Sequence, residues 1–199
     1  MRDIVKRAVS QFLAGELPSD EDYYKQKNQE VARLVEALEQ LTGRSISWEP
    51  RVDMFNFYHL QIPVDFKLDV PLYEITIDQL EELVVQGRAT SFLHLLISTF
   101  SPWTCTYWSR YFPPELEETV SSEVSFEDSA EEQLFEQVRQ KIEEHGWLWL
   151  PPAEAVEPIP EAPPPWPYKE GPALVQHILF PGCGPLIDLY TPPLQTRLP

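Results

Sequence analysis

The chain has 199 residues, with 32 acidic against 15 basic side chains and a formal net charge of -17. A field of that sign repels nucleic acid and anionic lipid and speeds encounter with basic proteins, so it narrows the class of partner. Aromatic residues at 12% and hydrophobic residues at 43% argue against disorder throughout and are enough to build a sizeable core.

From Arg2 to Leu13 the apolar residues Ile4, Val5, Ala8, Val9, Phe12 and Leu13 recur at helical spacing, and Gly15 stands where a left-handed C-terminal cap belongs. Ser19 with Asp22 has the form of a capping box with the shorter acid. Val31, Leu34, Val35, Leu38 and Leu41 then keep one face apolar up to Gly43, which predicts a second helix of about twenty residues. Beyond Gly43 the pattern turns to alternation and β-favouring residues at 46–48, 55–62 and 72–77, punctuated by Pro50, Pro63 and Pro71. These are two or three strands of one sheet. Leu80, Leu83 and Val84 predict a short helix between Asp78 and Gly87.

Residues 92–100 are almost wholly apolar, and at that length periodicity does not separate a buried helix from a buried strand; the helix is the preferred reading. Ser101 followed by Pro102 has the form of an N-cap with proline at the first helical position. That would set Trp103, Tyr107, Trp108 and Tyr111 on one helical flank, the alternative being a strand on the strength of the Thr, Tyr and Trp content. Ser129 and Glu132 make a better capping box, and Leu134, Phe135, Val138 and Ile142 are the buried stripe of a helix ending at His145 and Gly146. Trp147 to Leu150 read as a strand leaving it, with both tryptophans on one face and both leucines on the other.

Eight prolines between 151 and 167 remove too many amide donors for a helix or a central strand, so 151–170 reads as a polyproline-like strap. Residues 173–180 and 186–190 are two apolar, β-favouring runs joined by Pro181, Gly182, Cys183, Gly184 and Pro185, the composition of a C-terminal hairpin. The irregular alternation of elements implies an α+β fold, a mainly antiparallel sheet with helices packed on one face. One domain over 1–199 is the simplest count, with a weak sub-boundary conceivable near 113–125.

No apolar run approaches the length of a membrane span, and the amphipathic N-terminus lacks the form of a secretory signal, so a cytoplasmic protein with two reduced thiols, Cys105 and Cys183, is expected. His59, His94, His145 and His177 are dispersed, with none three or four residues from another His or Cys. They carry no zinc signature, although any three of them could converge in space. Cys105 matches no nucleophile signature, and the Gly182 to Gly184 pair lacks the third glycine and following helix of a phosphate loop. No cofactor fingerprint is present.

What stands out is clustered charge with aromatics. Residues 115–144 hold eleven carboxylates against Arg139 and Lys141. This stretch is either a solvated face or a docking surface for a basic partner. The candidate contacts are Glu127, Asp128, Glu131 and Glu132, with Trp103, Trp108 and Tyr111 as aromatic anchors. The expected protein is a non-enzymatic binding module, such as a bacterial immunity-type inhibitor that neutralises a basic toxin or enzyme. The rivals are a small hydrolase with a site assembled from scattered His, Cys and carboxylate residues, and a structural assembly subunit.

Overall fold

The computed structural model describes residues 3–16, 21–48, 57–64, 82, 90–112, 117–122, 129–160, 162 and 172–180. Its elements in chain order are α1 (Asp3–Leu13), α2 (Glu21–Thr42), β1 (Phe57–Pro63), β2 (Thr90–Ser98), β3 (Trp103–Phe112), β4 (Glu117–Ser122), α3 (Ser129–Glu144), β5 (Leu148–Trp149), α4 (Pro152–Ala155), β6 (Pro158–Ile159), β7 (Ala173–Leu174) and α5 (Val175–Leu179). This is an α+β fold, as the sequence implies.

The sheet runs β1-β2-β3-β4, each neighbour antiparallel, and β5 adds a short parallel pairing to β3. Since β2 occupies one edge of β3 along nearly its whole length, β4 and β5 share the other edge, β4 against Tyr107–Phe112 and β5 against Trp103 and Thr104. The register sets Leu96 between His59 and Cys105, and His94 between Gln61 and Tyr107.

Each strand serves two cores, because alternate side chains leave opposite faces. Tyr58, Leu60, Ile62, Leu93, Leu95, Ile97 and Trp108 meet the stripe Val31, Leu34, Val35 and Leu38 of α2 and the stripe Phe135, Val138 and Ile142 of α3. Phe57, Leu96, Trp103, Cys105 and Tyr107 face the other way, onto Val5, Ala8 and Val9 of α1 and the C-terminal residues Ala173, Val175, Ile178, Leu179 and Phe180. The two long helices therefore share one face of the sheet, and α1 with the short C-terminal elements closes the other.

Burial on both faces is why two strands read as helices. The stretch 92–100 and the one that follows Ser101, for which helices are the preferred reading, instead give β2 up to Ser98 and β3 from Trp103, with 99–102 bending between them. In β2 only His94 and the hydroxyl residues interrupt an apolar run, which is how a strand covered on both sides looks. Of 46–48 only Ser47 takes part in a ladder, as an isolated bridge to Gln61. The proline-rich strap is partly regular: Pro152 begins the four-residue α4, where its missing amide costs nothing, and Pro158 lies in β6 against Leu174. The first arm of the expected C-terminal hairpin is two residues of strand followed by α5, whose five residues are all buried, so burial and not strand pairing accounts for their apolar, β-favouring character. Its second arm, 186–190, lies outside the described residues, as do the strand at 72–77 and, Glu82 apart, the helix at 78–87.

The helices expected at the N-terminus, before Gly43 and after Ser129 form as α1, α2 and α3. α3 hands over to β5 at Gly146, whose φ of 83° places it in the left-handed region, with its amide donating to Glu143 and that of Trp147 to Ile142. The strand that follows places Trp147 and Trp149 in the α2/α3 core and Leu148 and Leu150 in the other, as alternation requires. Among the described residues no helix is long and apolar enough to cross a membrane.

Candidate functional site

The α1-facing side of the sheet carries a chain of polar groups inside an apolar layer. His94 projects from the centre of β2. Its Nδ1 lies 2.8 Å from Nε2 of His59 on β1 and its Nε2 lies 2.6 Å from Oγ of Ser109 on β3, while the Tyr107 hydroxyl is 3.2 Å from His59 Nε2. The register explains the meeting: Tyr107 is directly opposite His94, and Ser109 and His59 are its diagonal neighbours on β3 and β1. The His94 and Tyr107 rings stack at 4.2 Å and 12°, which holds the imidazole flat between its two partners.

His94 is 4% exposed and Ser109 fully buried, whereas His59 is only partly buried. Desolvation, with the neighbouring His59 adding to it, holds the His94 imidazole well below its ordinary range, so the ring is neutral near pH 7. A neutral imidazole has one donor and one acceptor nitrogen, and here both are engaged.

The connectivity Ser109–His94–His59 is that of a nucleophile, a base and a group that orients the base. The burial argues for a different use, since a substrate carbonyl has no approach to a fully enclosed Ser109 Oγ in this conformation. What the arrangement offers is a hydrogen-bonded path from the partly exposed His59 to the interior. Among the described residues no three His, Cys, Asp or Glu side chains gather as metal ligands. Cys105 is a buried free thiol in the same layer, and Cys183 lies outside the described residues.

The expected docking residues divide. Glu131 is 4% exposed and makes a two-pronged ion pair with Arg110 of β3, Oε2 to Nη2 at 2.6 Å and Oε1 to Nε at 3.3 Å. Trp103 and Trp108 are fully buried on opposite faces of the sheet. These three hold the fold together and present nothing to a partner, which corrects their assignment as surface contacts. Tyr111 occupies a β3 position opposite Thr90 and Glu118. Glu127 and Asp128 lie outside the described residues. Glu132 is exposed, and so are Glu136, Glu143 and Glu144 further along α3. Arg139 pairs with Glu136 and Glu143, and Lys141 pairs with Glu144.

The remaining histidines stay apart from the cluster. His145 is exposed just past the end of α3, and His177 is buried in α5, its Nδ1 accepting the Leu174 amide. Ser109 carries no sequence signal at all. His59 and His94 are brought together by strand register, and a helical reading of 92–100 hides that register.

The chain was compared with known protein families, with curated proteins and with solved structures, and it matches none of them.

Proposed function

We propose that this protein is a binding module for a basic protein partner, and that the outer face of α3 is part of its docking surface. One observation carries the reading. α3 is anchored through Phe135, Val138 and Ile142, and turns Glu132, Glu136, Glu143 and Glu144 to solvent from a rigid element. Carboxylates fixed in this way add a directed local field to a molecule already at -17, and such fields act mainly on the rate and orientation of encounter. Pairing with Arg139 and Lys141 fixes three of the four side chains and leaves Glu132 as the most available. Exposed pairs of this kind are worth only about 0–1 kcal/mol, so they yield readily to a partner's Lys or Arg.

Within this class the finer proposal is an inhibitor of immunity type that neutralises a basic toxin or enzyme, in a cytoplasmic setting where Cys105 stays reduced. Affinity capture from the native host with wild-type protein and with the E132Q/E136Q/E143Q/E144Q variant tests the reading. A basic protein retained by the wild type and lost or depleted with the variant is the expected result. Equal retention by both removes α3 from the surface.

A further inference from the structure

The two histidines of the buried chain share a single contact, and proton counting shows what that contact tolerates. With both rings neutral, one N–H lies between Nε2 of His59 and Nδ1 of His94, 2.8 Å apart. Either ring can own it, and Ser109 Oγ accommodates both cases, donating to His94 Nε2 in one and accepting from it in the other, while the Tyr107 hydroxyl accepts from His59 Nε2 when that nitrogen carries the proton and can donate to it only when it does not. A proton added at Nδ1 of the partly exposed His59 ends this choice. His59 Nε2–H must then donate to His94 Nδ1 and His94 Nε2–H to Ser109 Oγ, so every bond points inward and the chain stays complete. A second proton on His94 would set two N–H donors and two positive charges against each other in a nearly dry site, and the contact could not persist.

We propose that His59 and His94 form a single-proton site that clamps β1, β2 and β3 together, and that acidification beyond the first proton releases the clamp and loosens this face of the sheet. Among the described residues, what packs against the pair on this face is chiefly apolar. α1 brings Val5, Ala8 and Val9 to this core, and α4, β6, β7 and α5 bring chiefly Ala155, Ile159, Ala173, Val175, Ile178 and Leu179. The buried titratable groups described on this side are Tyr107 and Cys105 on β3 and His177 on α5, none of them anionic in mild acid; of the charged residues on the elements packed here, Asp3, Lys6 and Arg7 of α1 are exposed, and Glu154 of α4 and Glu157 before β6 are half-buried. The buried carboxylate Glu131 faces the opposite core and is committed to Arg110.

The linkage has a definite sign. The unfolded chain binds a proton at each histidine below about pH 6.5, while the folded pair binds one in all, so folding excludes one proton. The folding equilibrium constant should be at its full value above that pH and fall about tenfold per pH unit below it, until the folded pair yields. His94→Gln removes the excluded proton and should take this tenfold-per-unit component out of the pH dependence, whatever it costs in stability at pH 8.

The test is denaturant unfolding of wild type and His94→Gln between pH 8 and 5, together with long-range ¹⁵N–¹H spectra of the imidazole rings of the intact wild type. We expect the steeper slope only in the wild type, with His59 becoming imidazolium while His94 stays neutral, protonated at Nε2. Equal slopes in the two proteins, or both rings becoming imidazolium with the near-UV circular dichroism unchanged, would overturn the proposal. Should His94→Gln fail to fold, the ring spectra of the wild type decide it alone.

Discussion

Replacing Glu131 by Gln separates a structural carboxylate from a docking one. Glu131 and Arg110 are each 4% exposed, and their two hydrogen bonds at 2.6 and 3.3 Å tie the first turn of α3 to β3. The substitution keeps the side chain's shape and one acceptor oxygen but removes the carboxylate charge that faces the buried Arg110 guanidinium. Removing one partner of a buried pair costs about 3–5 kcal/mol, and with the remaining oxygen we expect a value near the lower end, about 3 kcal/mol. Guanidinium unfolding followed by tryptophan fluorescence reads this directly, provided the slope m is unchanged. A control variant carrying Arg110→Met with Glu131→Met should recover most of the loss, because apolar residues of similar volume replace buried pairs at little net cost. A cost for Glu131→Gln below about 1 kcal/mol would match an exposed pair and refute the burial argument.

Other outcomes follow from the same geometry. Gly146→Ala meets no atom within 4 Å of the added Cβ, so its cost is purely conformational, about 1–2 kcal/mol for a left-handed residue at φ 83°, read as a fall in Tm. No change in Tm would mean that the turn after α3 does not need that conformation. Leu150→Ala, at a buried position of the α1-side core, should cost about 2–5 kcal/mol and the half-buried Leu148→Ala less, both by denaturant unfolding. Losses below about 1 kcal/mol at both would make β5 an exposed edge. With a charge of -17, the protein should show no fluorescence-anisotropy response to duplex or single-stranded DNA at physiological salt, and measurable binding would contradict the electrostatic argument.

The long helices α2 and α3 were legible in the sequence because each has one buried stripe. Val31, Leu34, Val35 and Leu38 of α2, and Phe135, Val138 and Ile142 of α3, repeat at intervals that only a helix brings to one side. The central strands were not, because Leu93, Leu95 and Ile97 enter one core while Phe92 and Leu96 leave the opposite face, and a strand covered twice loses its alternation. The candidate site was lost with them, since only antiparallel register sets Tyr107 opposite His94, with Ser109 and His59 diagonal to it. Charge misled in a similar way. Glu131 looks like its neighbours in an acidic run, and only the fold sets it against Arg110, a lone cation among β3 aromatics that itself hints at a buried carboxylate.

The docking role of α3 is tested most directly by stopped-flow association between the captured basic partner and either wild-type protein or the E132Q/E136Q/E143Q/E144Q variant, at low and at physiological ionic strength. Steering by exposed carboxylates predicts that the variant associates more slowly, with a weaker dependence on salt and a nearly unchanged dissociation rate. The same association rate and the same salt dependence for both proteins would contradict the account, leaving the α3 carboxylates as a solvated face.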